Sequence, residues 1–199
     1  MLKVGITGGI GSGKTTVCKI FEKMGIPIYY ADDRAKALMV ENQALINNLI
    51  ALFGEQAYLE NGQLNRAHIA NIVFNDQAKL KELNALVHPA VHQDANDWAA
   101  EQAKKNVPYA LREAALIFEG GGNHYLDKVI TVFADKEVRL ARVIARDKST
   151  REAVEARMNK QMPEEEKIKL ADFVIYNNGD QSLEEQVRKI HDSLIESGK

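Results

Sequence analysis

The chain has 199 residues, 45% of them hydrophobic, which suits one domain with sub-domain insertions and a sizeable buried core. Its 26 Lys and Arg against 28 Asp and Glu, a net charge of −2, give no overall pull toward nucleic acid or an anionic membrane, so any anion site has to be local. One cysteine, Cys18, excludes an intrachain disulfide, and the N-terminal apolar stretch is too short for a signal peptide or membrane span, which makes the cytoplasm the expected compartment. In chain order, LKVGIT (2–7) reads as a buried strand. A glycine-rich loop follows, and then Val17, Ile20, Phe21 and Met24 recur at helical spacing until Gly25. IPIYY (26–30) is a second short strand. Residues 34–106 read as a set of helices broken at ENG (60–62) and at Pro89. VPYALREAAL (107–116) and KVITVFA (128–134) are the third and fourth strands. Asp135 to Lys160 is helical and basic, with eight Lys or Arg against five Asp or Glu. ADFVIY (171–176) is a fifth strand, and Ser182 with Glu185 three residues on opens the last helix as a capping box. Apolar strands separated by helices predict an α/β fold, a five-stranded parallel sheet flanked by helices.

The loop GITGGIGSGKTT (5–16) matches G-x-x-x-x-G-K-[ST] at Gly8, Gly13, Lys14 and Thr15. Glycines let successive amides curl inward onto phosphate oxygens, and the helix that follows adds its positive end. Lys14 supplies a point charge, and the Thr15 hydroxyl is placed for Mg²⁺. The expected ATP contacts are therefore Gly8, Gly11, Ser12, Gly13, Lys14, Thr15 and Thr16, with a strand before and a helix after giving the match its context. A GTPase would need N-K-x-D late in the chain, and NKQM (159–162) lacks the aspartate. The size suits a small P-loop kinase, with residues 34–106 as the acceptor-holding insertion and 135–170 as a basic lid on a core of 1–33, 107–134 and 171–199.

The second strand ends in YYADDRAK. A carboxylate at that strand end can take the proton of an acceptor hydroxyl; Asp32 is the expected base with Asp33 as its rival, and a helix cap is the ordinary alternative for either, the one expected for Asp33. TGGIGSGKTT, MGIPIYYADDRAK, LNALVHPAV (83–91) and DFVIYNNG (172–179), in that order along essentially the whole chain, resemble the dephospho-CoA kinase family. The resemblance implies transfer of phosphate from MgATP to the ribose 3′-hydroxyl of dephospho-CoA, the last step of coenzyme A synthesis. Family members usually read D-A-D after the second strand; here Tyr30 stands at the first aspartate position and Asp32 at the second, the one taken as the base.

The same resemblance places His88, before Pro89, in the acceptor-binding insertion, although a helix-terminal histidine explains it as well. Arg139, Arg142 and Arg146 share one helical face, and Arg142 or Arg146 is expected to touch phosphate; pairing with Glu137 and Asp147 is the ordinary alternative. Asn177, Asn178 and Gly179 follow the last strand, where the resemblance puts the adenine; a plain Asn-Gly turn has equal physics. Arg112, Glu113 and Glu119 border the third strand, with Arg112 expected at the substrate and the metal's support by Glu113 or Glu119 left open. Asp135 is expected to cap the next helix, and Cys18 to be inert packing. The expected partner is dephospho-CoA, without nucleic acid or membrane, for a monomer with an oligomer left open. The rivals are a kinase of the same architecture acting on a nucleoside, nucleotide or sugar acid, and a non-enzymatic nucleotide switch.

Overall fold

The computed structural model describes residues 1–197. The apolar runs form one parallel sheet of β1 (Leu2–Thr7), β2 (Ile28–Tyr30), β3 (Tyr109–Glu113), β4 (Lys128–Phe133) and β5 (Phe173–Tyr176), in the order β2-β3-β1-β4-β5. β2 starts at Ile28, later than the apolar run suggests, because Pro27 has no amide for the ladder; its carbonyl still accepts from Leu111 at 3.0 Å. β1 lies in the middle, and its residues from Val4 to Thr7 are buried. Val4, Ile6, Tyr109, Leu111, Ile130, Val132 and Ile175 pack on α1 (Lys14–Lys23) and α9 (Leu183–Ser197) through Val17, Phe21, Val187 and Leu194. A smaller cluster on the sheet holds Val129 with Ile117 and Phe118. α1 ends where expected, with Gly25 at φ +81° just beyond it. Ser182 accepts from the Glu185 amide at 3.3 Å and starts α9 as predicted.

The chain divides into two compact units: Met1–Tyr30 with the chain from Ala99 onward, and Ala31–Trp98. The second unit carries α2 (Ala31–Glu41), α3 (Gln43–Phe53), α4 (Arg66–Asn75) and most of α5 (Gln77–Ala103). Asn42 and Asn65 cap α3 and α4 by accepting from the amides of Leu45 and His68. The ENG break is a turn, with Gly62 at φ +77° and a bridge between Tyr58 and Leu64. The Tyr58 hydroxyl donates to the Met39 carbonyl at 2.6 Å, a packing role. Arg34 forks onto Asp94 at 2.9 and 3.0 Å, tying α2 to α5.

Two local expectations are corrected. α5 does not stop at Pro89: it runs for 27 residues through it. Pro89 and Ala85, whose carbonyl loses its helical donor, are both exposed, so water can take the place of the missing amide. Asp33 is not a cap, because α2 already begins at Ala31; its carboxylate pairs with Lys36 at 2.7 Å within the first turn.

The basic segment folds as α6 (Lys136–Asp147) and α7 (Arg151–Met158), joined by Leu140, Val143, Val154 and Met158 with Ile10 against them, and is followed by the short α8 (Glu164–Leu170). Asp135 occupies the N-cap position of α6 without a capping side-chain bond, so that expectation holds in position only.

Candidate active site

The phosphate loop leaves β1 at Thr7 and enters α1 at Lys14, so a strand end and a helix start fix both of its ends. Gly8 has φ +148°, and a Cβ there would strike the Val132 carbonyl and lie 2.7 Å from the Ser12 hydroxyl. Gly13, at φ +93°, caps α1, and a Cβ would strike Asn177 Nδ2. Only glycine fits either place. Gly11 lies over α6, where a Cβ would come 2.6 Å from the Arg139 carbonyl. Ser12 is fully buried, and its hydroxyl has no hydrogen-bond partner among the described residues; its amide donates to Gly9 at 3.0 Å. Lys14 reaches back along the loop, with Nζ 2.9 Å from the Gly8 carbonyl. Thr15 and Thr16 are exposed on the first turn of α1, and Thr16 donates its amide to Gly13.

Of the three arginines sharing a face of α6, each has a different neighbour. Arg139 is buried, donating Nε to the Ala134 carbonyl at 3.0 Å. Arg142 lies along the loop, with Nη2 2.9 Å from the Asn177 carbonyl and Nη1 3.5 Å from that of Gly11. Arg146 turns outward to Asp147 at 2.7 Å, and Asp147 is shared with Arg157 at 2.8 Å. Those hydrogen bonds, to Arg146 and then Arg157, hold the Asp147 carboxyl well below its ordinary range. Glu137 pairs with Arg151, not with the arginines of its own helix.

After β5, Asn177 donates Nδ2 to the Ser12 carbonyl at 2.8 Å, while Asn178 accepts from the Asp135 amide at 2.8 Å. The first asparagine thus touches the phosphate loop, and the second closes the turn onto α6. At the end of β3, Glu113 is buried opposite Ile6 and Tyr30 in register. Arg112 is half-buried opposite Tyr29, and burial pushes its guanidinium below its ordinary value. The Tyr30 hydroxyl donates to Glu22 at 3.0 Å, so the residue standing for the family's first aspartate is held against α1. Burial, with Glu113 and Glu22 adding, pushes the Cys18 thiol up to about 12, as inert packing requires.

The structure therefore gathers the loop, Arg142 and Asn177 into one cluster. Asp32 and His88 belong to the helical unit. Asp32 is exposed in the first turn of α2, two residues past β2, and His88 is exposed on α5; neither has a polar partner among the described residues. Three residues at the loop escape sequence reasoning. Glu164 accepts from the Gly9 amide at 3.2 Å, Gln161 accepts from Ile10 at 2.8 Å, and buried Lys167 stands 3.2 Å from Glu164. PEEEK (163–167) reads as an acidic, solvated helix start, and nothing in its spacing signals burial.

Among the described residues no cluster of three or more His, Cys, Asp or Glu could cage a metal, and no helix is long and apolar enough to cross a membrane. The Thr15 hydroxyl, exposed at the loop, is the donor type that suits a hard cation sharing its shell with phosphate and water.

Comparison with known proteins agrees with this geometry. The family described as dephospho-CoA kinase matches residues 2–183. A dephospho-CoA kinase of Salinibacter ruber is 43% identical over 90% of this chain and 90% of its own. Another, from Chlorobium chlorochromatii, is 39% identical over 98% of this chain and 94% of its own. A crystal structure from Thermus thermophilus, 36% identical, covers 96% of both chains with a TM-score of 0.83. Dephospho-CoA kinase from Campylobacter jejuni, 28% identical, covers 99% of this chain and 98% of its own with a TM-score of 0.74. Phosphate loop, parallel sheet and near-full-length sequence match agree: the chain belongs to the dephospho-CoA kinase family.

Proposed function

We propose that this protein transfers the γ-phosphoryl group of ATP to the ribose 3′-hydroxyl of dephospho-CoA, giving coenzyme A and ADP. The observation that carries the reading is the complete phosphate loop, Gly8 to Thr15, in a chain that matches dephospho-CoA kinases along nearly all its length.

In this reading the loop amides and Lys14 hold the polyphosphate tail, and Arg142, already against Gly11, neutralises charge on the moving group. Arg146 would have to exchange Asp147 for phosphate to join it. Thr15 would hold Mg²⁺, which would neutralise phosphate charge, and Glu113, buried at the end of β3, would support its water shell. Asp32 takes the proton of the 3′-hydroxyl as its oxygen forms the new bond to phosphorus and the bond to the β-phosphate oxygen breaks. Its exposed carboxylate, without a competing partner, favours that role over Asp33, which Lys36 occupies. The helical insertion with His88 takes the acceptor, with Arg112 as a further contact to it; residues 135–170 act as the lid, and Asn178 borders the adenine. Most of the acceleration then comes from positioning and charge neutralisation. A monomer working in the cytoplasm completes the proposal.

The test incubates the protein with MgATP and a panel of hydroxyl acceptors, and locates new phosphate by phosphorus NMR. A 3′-phosphate on dephospho-CoA is expected; transfer to a nucleoside, nucleotide or sugar acid instead would reject the substrate, and hydrolysis alone would reject the transfer.

A further inference from the structure

We infer that Gln161 and Glu164 are positioning residues for the phosphate loop, turning the Gly9 and Ile10 peptides outward so that only later amides face a nucleotide. The inference rests on the reading of the loop as the nucleotide site.

A phosphate loop works because its peptide planes have chosen sides, and each N–H turned away from the anion needs another acceptor. Here the two amides that follow Gly8 have one each. Gly9 donates to Glu164 Oε2 at 3.2 Å, and Ile10 donates to Gln161 Oε1 at 2.8 Å. The contact is close enough that a Cβ on Gly9 would lie 2.5 Å from both Glu164 Oε1 and Arg139 Nη1. A carboxylate beside an anion cradle ought to repel phosphate, but this one is buried in a balanced group. Lys167 Nζ is 3.2 Å from Glu164 and 3.5 Å from Glu119, and Arg139 Nη1 is 3.9 Å from Glu164. Two carboxylates meet two cations, so the group is neutral as a whole. It is also anchored: Glu119 accepts from the Met162 amide at 2.9 Å, and Arg139 donates to the Ala134 carbonyl at 3.0 Å. The loop is thereby braced from the segments that follow β3 and β4. Such bracing sets the peptide planes before ATP arrives, and its loss falls on binding because the nucleotide must then order the loop itself.

The experiment measures ADP affinity calorimetrically, and KM for ATP and kcat by steady-state kinetics. Gln161→Ala removes one acceptor and leaves the buried charges untouched. It should raise the ADP dissociation constant and KM for ATP about three- to tenfold, with the loss on KM and not on kcat. Two double variants then separate positioning from general stability. Glu164→Gln/Lys167→Met keeps an acceptor for Gly9 and removes one charge of each sign; it should bind ADP nearly as the parent does. Glu164→Ala/Lys167→Met has the same charge and no acceptor, and should bind several-fold more weakly. Parent-like ADP affinity in Gln161→Ala, or equal affinities in the two double variants, overturns the inference. Lys14→Ala serves as the control. If it alone loses ADP, the nucleotide reading stands and the brace falls; if it too binds like the parent, both fall.

Discussion

Gly13 shows how narrow the loop's tolerances are. Gly13→Ala would force a side chain into a positive-φ position and onto Asn177, whose amide holds Ser12. A loss of about 1–3 kcal/mol in urea unfolding and a raised KM for ATP are expected. Asp32→Asn, made on an exposed side chain, should leave the melting temperature in place and lower kcat by about 10²–10⁴ without a matching change in ATP affinity. Cys18 gives a pH test. Its folded pKa, about 12, stands above the ordinary 9.0, so the folded protein keeps a proton that the unfolded chain gives up. Its contribution to stability is therefore full below pH 9 and declines as the pH rises toward 12. Between about pH 9 and 12 the parent should lose up to about 1.4 kcal/mol per pH unit relative to Cys18→Ala in denaturant titrations. At this scale the sequence was most readable where spacing itself is the chemistry, as in Gly8, Gly13, Lys14 and Thr15. It was least readable for Glu164 and Lys167, which pair with each other at i, i+3 but are buried through Gly9 and Glu119, far away in sequence.

Helices show a different limit. The i, i+3, i+7 spacing of Arg139, Arg142 and Arg146 fixes a direction around α6, and the three do share it. The same spacing also strings them along the axis, and seven residues of helix advance about 10 Å. Arg139 therefore sits beneath the loop, Arg142 beside it, and Arg146 beyond it with Asp147. α5 makes the converse point, since a proline that should end a helix is carried through one where both it and Ala85, the residue whose carbonyl it orphans, are exposed. Pro89→Ala restores that amide, and should raise stability by about 1–3 kcal/mol in urea unfolding. A lowered midpoint would mean that the helix depends on its proline for some contact made there.

Across the whole molecule, the alternation of apolar runs with helical stretches was enough to read the sheet, because parallel strands covered on both faces are apolar throughout. Strand order was not written in the pattern. Nucleotide should act on the folded chain as a ligand of the native state alone: ADP at a hundredfold excess over its dissociation constant adds about 2.7 kcal/mol. That shift raises the melting temperature by about 5–10 °C for a chain of this size, and Lys14→Ala should abolish it. The order β2-β3-β1-β4-β5 also bears on how the protein is made. The ribosome delivers the loop well before the groups that grip it, since Arg142, Gln161, Glu164 and Asn177 lie 131 to 165 residues further along the chain than the loop residues they touch. A nascent chain halted before them carries the glycines and Lys14 without these outer supports, so the ATP pocket is complete only once Asn177 has emerged.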